Sequence, residues 1–474
     1  MIHFGTGGWR AVIGDDFTKA NIQILAKAMC WKMKKEGVDD QPIVIGYDRR
    51  FLSKETVYWS CEVFAQEGIH VLFINRSVPT PLVMFYVMKK ELPYGMMVTA
   101  SHNPAIYNGI KVFTAGGRDA VEEQTRDIEG YIAEVEKEFK GEPIPSMPYA
   151  KAKESGLVTE FNPLNEYLDN IIDHVDMKKI RDAHLHVAVD PMYGVSLTSL
   201  KTILMTARCD VDLINESHDT LFGGRMPTPN ASTLRALQSY VIDHNCDIGL
   251  ATDGDADRIG VIDDKGRYLH ANDILVVLYY YLVKYKGWKG PVVRNIATTH
   301  VLDKLAESFG EKCYEVPVGF KYISAKMQET NAVLGGESSG GLTVRGHIHG
   351  KDGVYAASLL VEMLAVTGKK RSEIFDDIKK EYGEIHMEER DYKMSPEKKA
   401  ELNHMLMEEK KLPEMPVPVK RVSYMDGCKV YFENGGWVIA RFSGTEPLIR
   451  IFCEMPDPKM AADLCDTFKE FLGI

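Results

Sequence analysis

The chain has 474 residues, 45% of them hydrophobic, which exceeds the size at which a single core stops growing, so three or four domains are expected. A formal net charge of -11 argues against a general nucleic-acid or membrane-surface binder and leaves anionic ligands to a dedicated pocket. The eight cysteines, at 30, 61, 209, 246, 313, 428, 453 and 465, include no C-x-x-C pair, which excludes zinc-ribbon and thioredoxin-like spacing, and they read as reduced core residues.

The opening "MIHFGTGGWR" has neither a basic start nor a leader-like apolar block, so a cytoplasmic location is expected. Thr18 followed by Ile22, Leu25, Ala26, Met29 and Met33 and closed by Gly37 has the cap and spacing of an amphipathic helix. The strand "IVIGY" follows, then a helix opened by Ser53 with Val57, Cys61, Phe64 and Ala65 on one face and Gly68 at its end, then the strand "HVLFI". This alternation implies an α/β sheet with crossover helices. "GMMVTASHNP" (95–104) reads as a strand running into a turn, and Ser101 there is either a turn serine or a nucleophile.

The proline-rich, polar segment 140–156 suggests a first domain boundary, with others near 265 and 385. Strands running into polar or glycine-rich loops recur in "LHVAVDPMYG", "DIGLATDGD", "PVVRNIATTH" and "AVLGGESSGG", and open α/β sheets bind ligands at such strand ends. The longest apolar run, 274–283, is far short of the ~20 residues that span a bilayer. After 385 a helix rich in Glu, Lys and Met (396–410) precedes strand-like runs at 419–424, 427–432, 436–442 and 447–453 and a final helix, the pattern of a smaller α+β domain.

Three segments carry chemistry. "ATDGDADRIG" sets Asp253, Asp255 and Asp257 at alternate positions, which aims three carboxylates at one locus, and an oxygen-ligating dication such as Mg2+ would remove their repulsion. An EF-hand is rejected because Arg258 stands where its loop requires Gly and the flanks look like strands. "RFSGTEPLIR" (441–450) combines two arginines with a Ser-Gly-Thr turn able to receive a phosphate, although an ordinary hairpin turn fits the same letters. "GGESSGG" places Glu337 and Ser339 on one side of an extended backbone, a pairing suited to a sugar diol, with glycines that let a ligand come close. His102 beside Ser101 suggests a Ser-His pair, but in an extended segment the two side chains point to opposite sides.

With these motifs in this order, the whole chain resembles the α-D-phosphohexomutase superfamily, the phosphoglucomutase and phosphomannomutase group. The resemblance implies an α/β protein of four domains around a central cleft, three of related mixed α/β fold and a C-terminal α+β domain, with boundaries set at 1–148, 149–265, 266–384 and 385–474. It implies that Ser101 carries a phosphate, that Asp253, Asp255 and Asp257 with Ser101 hold Mg2+, and that Glu337 and Ser339 contact sugar hydroxyls. Arg441, Ser443, Gly444, Thr445 and Arg450 match the distal phosphate site. Arg10 and Arg50 match basic residues facing the phosphoserine, Lys111 and Lys321 match proton-transfer or phosphate contacts, and Arg258 is a further counterweight to the phosphate. Where the family commonly has Asp in "GTDGWR", this chain has Gly7.

The implied reaction interconverts hexose 1- and 6-phosphates through a hexose 1,6-bisphosphate that serves as intermediate and activator. Glucose is favoured over mannose and glucosamine on the Ala of "DGDADR", and a phosphosugar phosphatase and a non-catalytic sensor are the competing readings. The expected partner is a small phosphosugar, with no nucleic acid and no membrane, for a monomer or homodimer.

Overall fold

The computed structural model describes residues 2–5, 7–383, 386–443 and 447–474, which divide into one compact unit of 1–274 with 339–372 and another of 275–338 with 373–474. In the first unit, the helix Lys19–Glu36 begins where Thr18 Oγ1 accepts a hydrogen bond from the Asn21 amide and ends at Gly37, whose φ of 68° releases the chain from the helix. The strand Ile43–Tyr47 pairs in parallel with Val71–Ser77 on one side and Tyr94–Val98 on the other. Tyr94–Val98 then pairs antiparallel with Tyr107–Thr114, which in turn holds Gly8–Val12. Every residue of Ile43–Tyr47 and Tyr94–Val98 is buried, as strands covered on both faces require. Val158–Phe161 joins this same sheet beside Val71–Ser77, so the proline-rich connector lies between two elements of one layer.

The second sheet of this unit runs in the order Asp210–Leu213, His186–Asp190, Ile248–Thr252, Ile259–Ile262 and Tyr268–Leu269. The first three strands are parallel and the rest antiparallel, so the loop between Thr252 and Ile259 is a hairpin connection at the finishing end of a parallel strand. The helix Gly353–Thr367, all apolar or small except Glu362, packs on strands Ile248–Thr252 and Ile259–Ile262 and on helices Met177–Ala183 and Leu197–Thr206.

In the second unit, Val292–Asn295 lies in parallel between Cys313–Val316 and Leu334–Gly336. A separate antiparallel sheet has the order His386–Lys393, Leu448–Met455, Trp437–Phe442, Cys428–Phe432, Val419–Ser423, and the helix Pro458–Leu472 packs on it. The four strands expected after 419 form there, and so does the helix near 396, as Pro396–Asn403 continued by a wider turn over His404–Glu408. The strand His386–Lys393 was not legible: "HMEERDYK" carries no residue exposing less than an intermediate fraction of its surface, and pairing with Leu448–Met455 holds it in place. Among the described residues no helix is long and apolar enough to cross a membrane, and the apolar run at 274–283 lies in the helix Ala271–Lys284.

Candidate functional site

The site in the first unit is built from loops at strand ends. Ser101 follows the strand Tyr94–Val98 in a turn, with φ of 52°, a left-handed conformation that costs a non-glycine residue about 1 kcal/mol. The Thr99 hydroxyl accepts from the Ser101 amide at 2.8 Å. Arg50, completely buried, donates to the carbonyls of Ser101 (2.7 Å), Asn103 (2.6 Å), Pro104 (2.9 Å) and Tyr107 (2.9 Å). Its guanidinium is thereby committed to the backbone of the serine loop.

Ser101 is therefore not in an extended segment, which corrects the expectation that its side chain and that of His102 diverge: Oγ lies 3.4 Å from His102 Nδ1. Its stronger partner is Asp253, whose Oδ2 accepts from Ser101 Oγ at 2.8 Å. Burial, followed by the nearby Arg258 and Arg10, holds the His102 imidazole well below its ordinary range and therefore neutral.

Asp253, Asp255 and Asp257 leave Thr252 at the end of a parallel strand, and their ligating oxygens lie within 4.8 Å of one another, all buried. The flanks are strands, as the sequence predicted. Asp253 Oδ1 accepts from the amides of Asp257 (3.0 Å) and Arg258 (3.1 Å), which curls the loop around one point. Thr80 Oγ1 donates to Asp255 Oδ2 at 2.6 Å. A Cβ added at Gly254 would stand 2.8 Å from the Ser101 carbonyl oxygen, so this glycine lets the aspartate loop and the serine loop touch.

Lys111, on the strand Tyr107–Thr114, donates to Asp255 Oδ2 and Asp257 Oδ2, each at 2.7 Å. Lys351 lies 3.0 Å from Asp257 Oδ2 and escaped the sequence reading. The only signal for it was a Lys-Asp pair between glycines in "HGKDG". The next residue, Asp352, caps the helix Gly353–Thr367 through the amides of Val354 and Tyr355 and accepts from His347 Nε2 at 2.7 Å and Tyr167 at 2.8 Å. The Gly353 amide donates to the Ala256 carbonyl at 3.0 Å, which docks the lysine turn on the aspartate loop.

Burial pushes all three carboxyls up. Asp253, facing Asp255 and Asp257, stays well above the usual carboxylate range, whereas Lys111 brings Asp255 below it and Lys111 with Lys351 brings Asp257 well below it. Burial pushes the Lys111 ammonium down, but Asp255 and Asp257 outweigh it and leave it above its ordinary value. Its contacts are anions, which hold it protonated. The donor set is all oxygen, and Asp255 Oδ1 and Asp257 Oδ1 are buried without hydrogen-bond partners, so the residues fit a hard dication such as Mg2+. Arg10 donates to Asn103 Oδ1 at 2.7 Å, and Arg258 Nε lies 4.0 Å from Asp257. A Cβ at Gly7 would meet Arg10 Nη2 at 3.4 Å, so the carboxylate that the family commonly carries there would stand beside this guanidinium.

In the second unit, Arg441 and Arg450 sit directly opposite each other on the strands Trp437–Phe442 and Leu448–Met455. Arg441 pairs with Asp426 at 2.9 Å and Arg450 with Asp391 at 3.4 Å. The Ser443 amide closes the hairpin on the Leu448 carbonyl at 3.0 Å, and the Ser443 carbonyl accepts from Lys399 at 2.6 Å, a third cation that the sequence did not single out. Gly444 and Thr445 lie outside the described residues. Lys321 is the second residue of the helix Phe320–Thr330.

Glu337 is buried just after Leu334–Gly336, and Ser339 is exposed in a turn, so the extended backbone expected at this motif is corrected to a turn. Two of its glycines also have a different purpose from admitting a ligand. A Cβ at Gly335 would meet Met327 at 2.2 Å and one at Gly336 would meet Leu275 at 2.1 Å, so both let helices pack on the strand.

Models of the phosphoglucomutase/phosphomannomutase family match in order: alpha/beta/alpha domain I over residues 1–139, domain II over 165–266, domain III over 270–382 and the C-terminal domain over 401–471. The chain belongs to this family of α-D-phosphohexomutases, enzymes of the isomerase class. It is 30% identical to a phosphoglucomutase/phosphomannomutase of Thermococcus kodakarensis over 97% of this chain and 96% of that one. It is 28% identical to a phosphoglucosamine/phosphogalactosamine mutase of Sulfurisphaera tokodaii over 99% and 98%. The crystal structure of a protein assigned as a phosphomannomutase from Thermus thermophilus superposes with a TM-score of 0.86 at 28% identity, covering 100% of this chain and 99% of that one.

Proposed function

We propose that this phosphohexomutase interconverts hexose 1-phosphate and hexose 6-phosphate through a phosphate carried on Ser101 and a hexose 1,6-bisphosphate, with glucose phosphate preferred. The observation that carries the reading is the hydroxyl of Ser101 bonded to one of three clustered buried aspartates, beside two lysines and two carboxylate oxygens that lack hydrogen bonds. Asp253, Asp255 and Asp257 would hold Mg2+, which supplies positive charge against the charge that builds on the phosphoryl oxygens.

In the first half-reaction the bond between Ser101 Oγ and phosphorus breaks as a sugar hydroxyl oxygen bonds to phosphorus and the hydroxyl proton leaves to a base; in the second, the bond between phosphorus and the sugar oxygen at the other end of the bisphosphate breaks as Ser101 Oγ bonds to phosphorus, and the proton returns to that sugar oxygen. Lys111, held protonated by Asp255 and Asp257, acts as a charge partner in this reading, and Lys321 is the other lysine that matches the family's proton-transfer contacts. Arg50 sets the backbone of the serine loop, Arg10, Arg258 and Lys351 balance the phosphate, and Arg441, Arg450 and Lys399 hold the phosphate that is not in transfer. Glu337 and Ser339 read sugar hydroxyls.

Ala256, at φ of 62°, keeps a methyl group where glycine would be free of strain, and the alanine of "DGDADR" supports the glucose and mannose branch over the glucosamine branch. A coupled assay with glucose, mannose and glucosamine 1-phosphates and a 1,6-bisphosphate activator tests the substrate. Highest kcat/KM on glucosamine 1-phosphate overturns the preference for glucose but not the mutase. Absence of turnover on all three, or phosphate release in place of isomerisation, overturns the mutase.

A further inference from the structure

The sheet that carries Asp253 on its finishing edge holds a second convergence of donors at its starting edge. His186 is the first residue of the strand His186–Asp190, Asp212 lies in the neighbouring strand Asp210–Leu213, and Cys246 stands two residues before Ile248–Thr252 on the other side. His186 Nε2 is 2.7 Å from Asp212 Oδ2 and 3.7 Å from Cys246 Sγ, and all three donor atoms lie within 4.8 Å of one another. We propose that His186, Asp212 and Cys246 form a second cation site, selective for a borderline-soft divalent ion such as Zn2+, that ties three strands together at the end of the sheet away from the aspartate loop.

The distances suit such an ion. With Zn–S near 2.3 Å and Zn–N near 2.0 Å, tetrahedral ligation separates sulfur from nitrogen by about 3.5 Å, close to the separation already present. Nitrogen and oxygen ligands would stand about 3.4 Å apart, so the histidine–aspartate contact opens by about 0.7 Å as the cation replaces the proton they share. The mixed nitrogen, oxygen and sulfur set disfavours Mg2+, which takes oxygen ligands, and so distinguishes this site from the all-oxygen cluster at Asp253.

The surroundings favour a cation as well. Asp210 and Asp247 add negative charge around the Cys246 thiol, and Asp247 Oδ2 accepts from the His186 amide at 2.9 Å, holding the first ligand's backbone in place. The side chains of His186 and Asp212 are 25% and 32% exposed while Cys246 is buried, so the ion can enter from solvent and keep a water as its fourth ligand. The neighbours of the thiol are anionic, unlike the electropositive setting of a reactive cysteine.

The test uses the full chain, stripped with a chelator and returned to buffer with excess Mg2+. Zn2+ is titrated in competition with a chromophoric chelator, and Co2+ is used in parallel to read thiolate-to-metal absorption. One equivalent of Zn2+ is expected to bind and raise the melting temperature, with Co2+ showing the thiolate band. Cys246→Ser and His186→Gln should each weaken Zn2+ binding at least about tenfold and Cys246→Ser should abolish the band, while turnover with Mg2+ stays unchanged in Cys246→Ser. Failure to hold one equivalent of Zn2+ overturns the site. So does Zn2+ binding that is unchanged in both folded variants, which would place the ion at the Asp253 cluster.

Discussion

Two buried charge clusters, one in each unit, look alike in composition and differ in how completely their atoms are paired. In the second unit, Arg294 donates to Asp303 through Nε at 2.7 Å and to Glu315 through Nη1 at 2.7 Å, and Glu315 also accepts from Lys429 at 2.8 Å and from the Tyr431 hydroxyl. Lys429 donates besides to the Ile296 carbonyl, and its Nζ lies 3.0 Å from His300 Nε2. Every buried polar side-chain atom of Arg294, Glu315 and Lys429 finds a partner among the described residues. In the first unit, Asp255 Oδ1, Asp257 Oδ1 and Arg258 Nε are buried without hydrogen-bond partners, the last two facing each other only at 4.0 Å. Orphaned buried polar atoms are costly and rare, so the pairing pattern separates a cluster that locks elements together from one built to receive a ligand.

The comparison breaks most sharply at Ser101. Ser101→Ala should lower mutase turnover by at least about a thousandfold while leaving the melting temperature near that of the parent, because the lost group is the phosphate carrier. A folded variant with near-normal turnover would remove Ser101 from the reaction.

Glu315→Gln should do the reverse. It leaves Arg294 and Lys429 buried without their shared anion and should destabilise the second unit by about 3–5 kcal/mol. Calorimetry should show that loss, while kcat measured well below the transition stays close to that of the parent.

Lys351→Met sharpens the first half of the contrast. It removes one of two ammonium groups at the aspartates and should lower kcat by about a hundredfold, with KM and the melting temperature little changed. A loss confined to stability would place Lys351 among the structural cations.

The last test concerns pH. Burial, followed by Arg294, lowers the His300 imidazole to about 3, whereas the unfolded chain titrates near 6.5. Below about pH 6.5 the unfolded state therefore binds the extra proton, so stability falls as pH drops towards 3, by up to about 1.4 kcal/mol per pH unit. Melting temperatures between pH 7 and pH 4.5 should show this slope, and His300→Gln should flatten it. An equal slope in the variant would assign the acid sensitivity to other groups.

The strand–helix alternation, the caps at Thr18 and Gly37, and the three aspartates at alternate positions were legible in the order of residues, because periodicity, capping and short-range spacing are local properties of the chain. The motif order likewise carried the family. Tertiary structure alone decided that Arg50 serves the backbone of the serine loop, that Ser101 sits in a left-handed turn against Asp253, and that Gly335 and Gly336 serve helix packing. It also brought Lys351 to Asp257, 94 positions away in the chain, and Lys429 to Glu315, 114 positions away. The sign of the Lys111 shift was decided in the same way, since burial and neighbouring charge act through space and leave no mark in the order of residues.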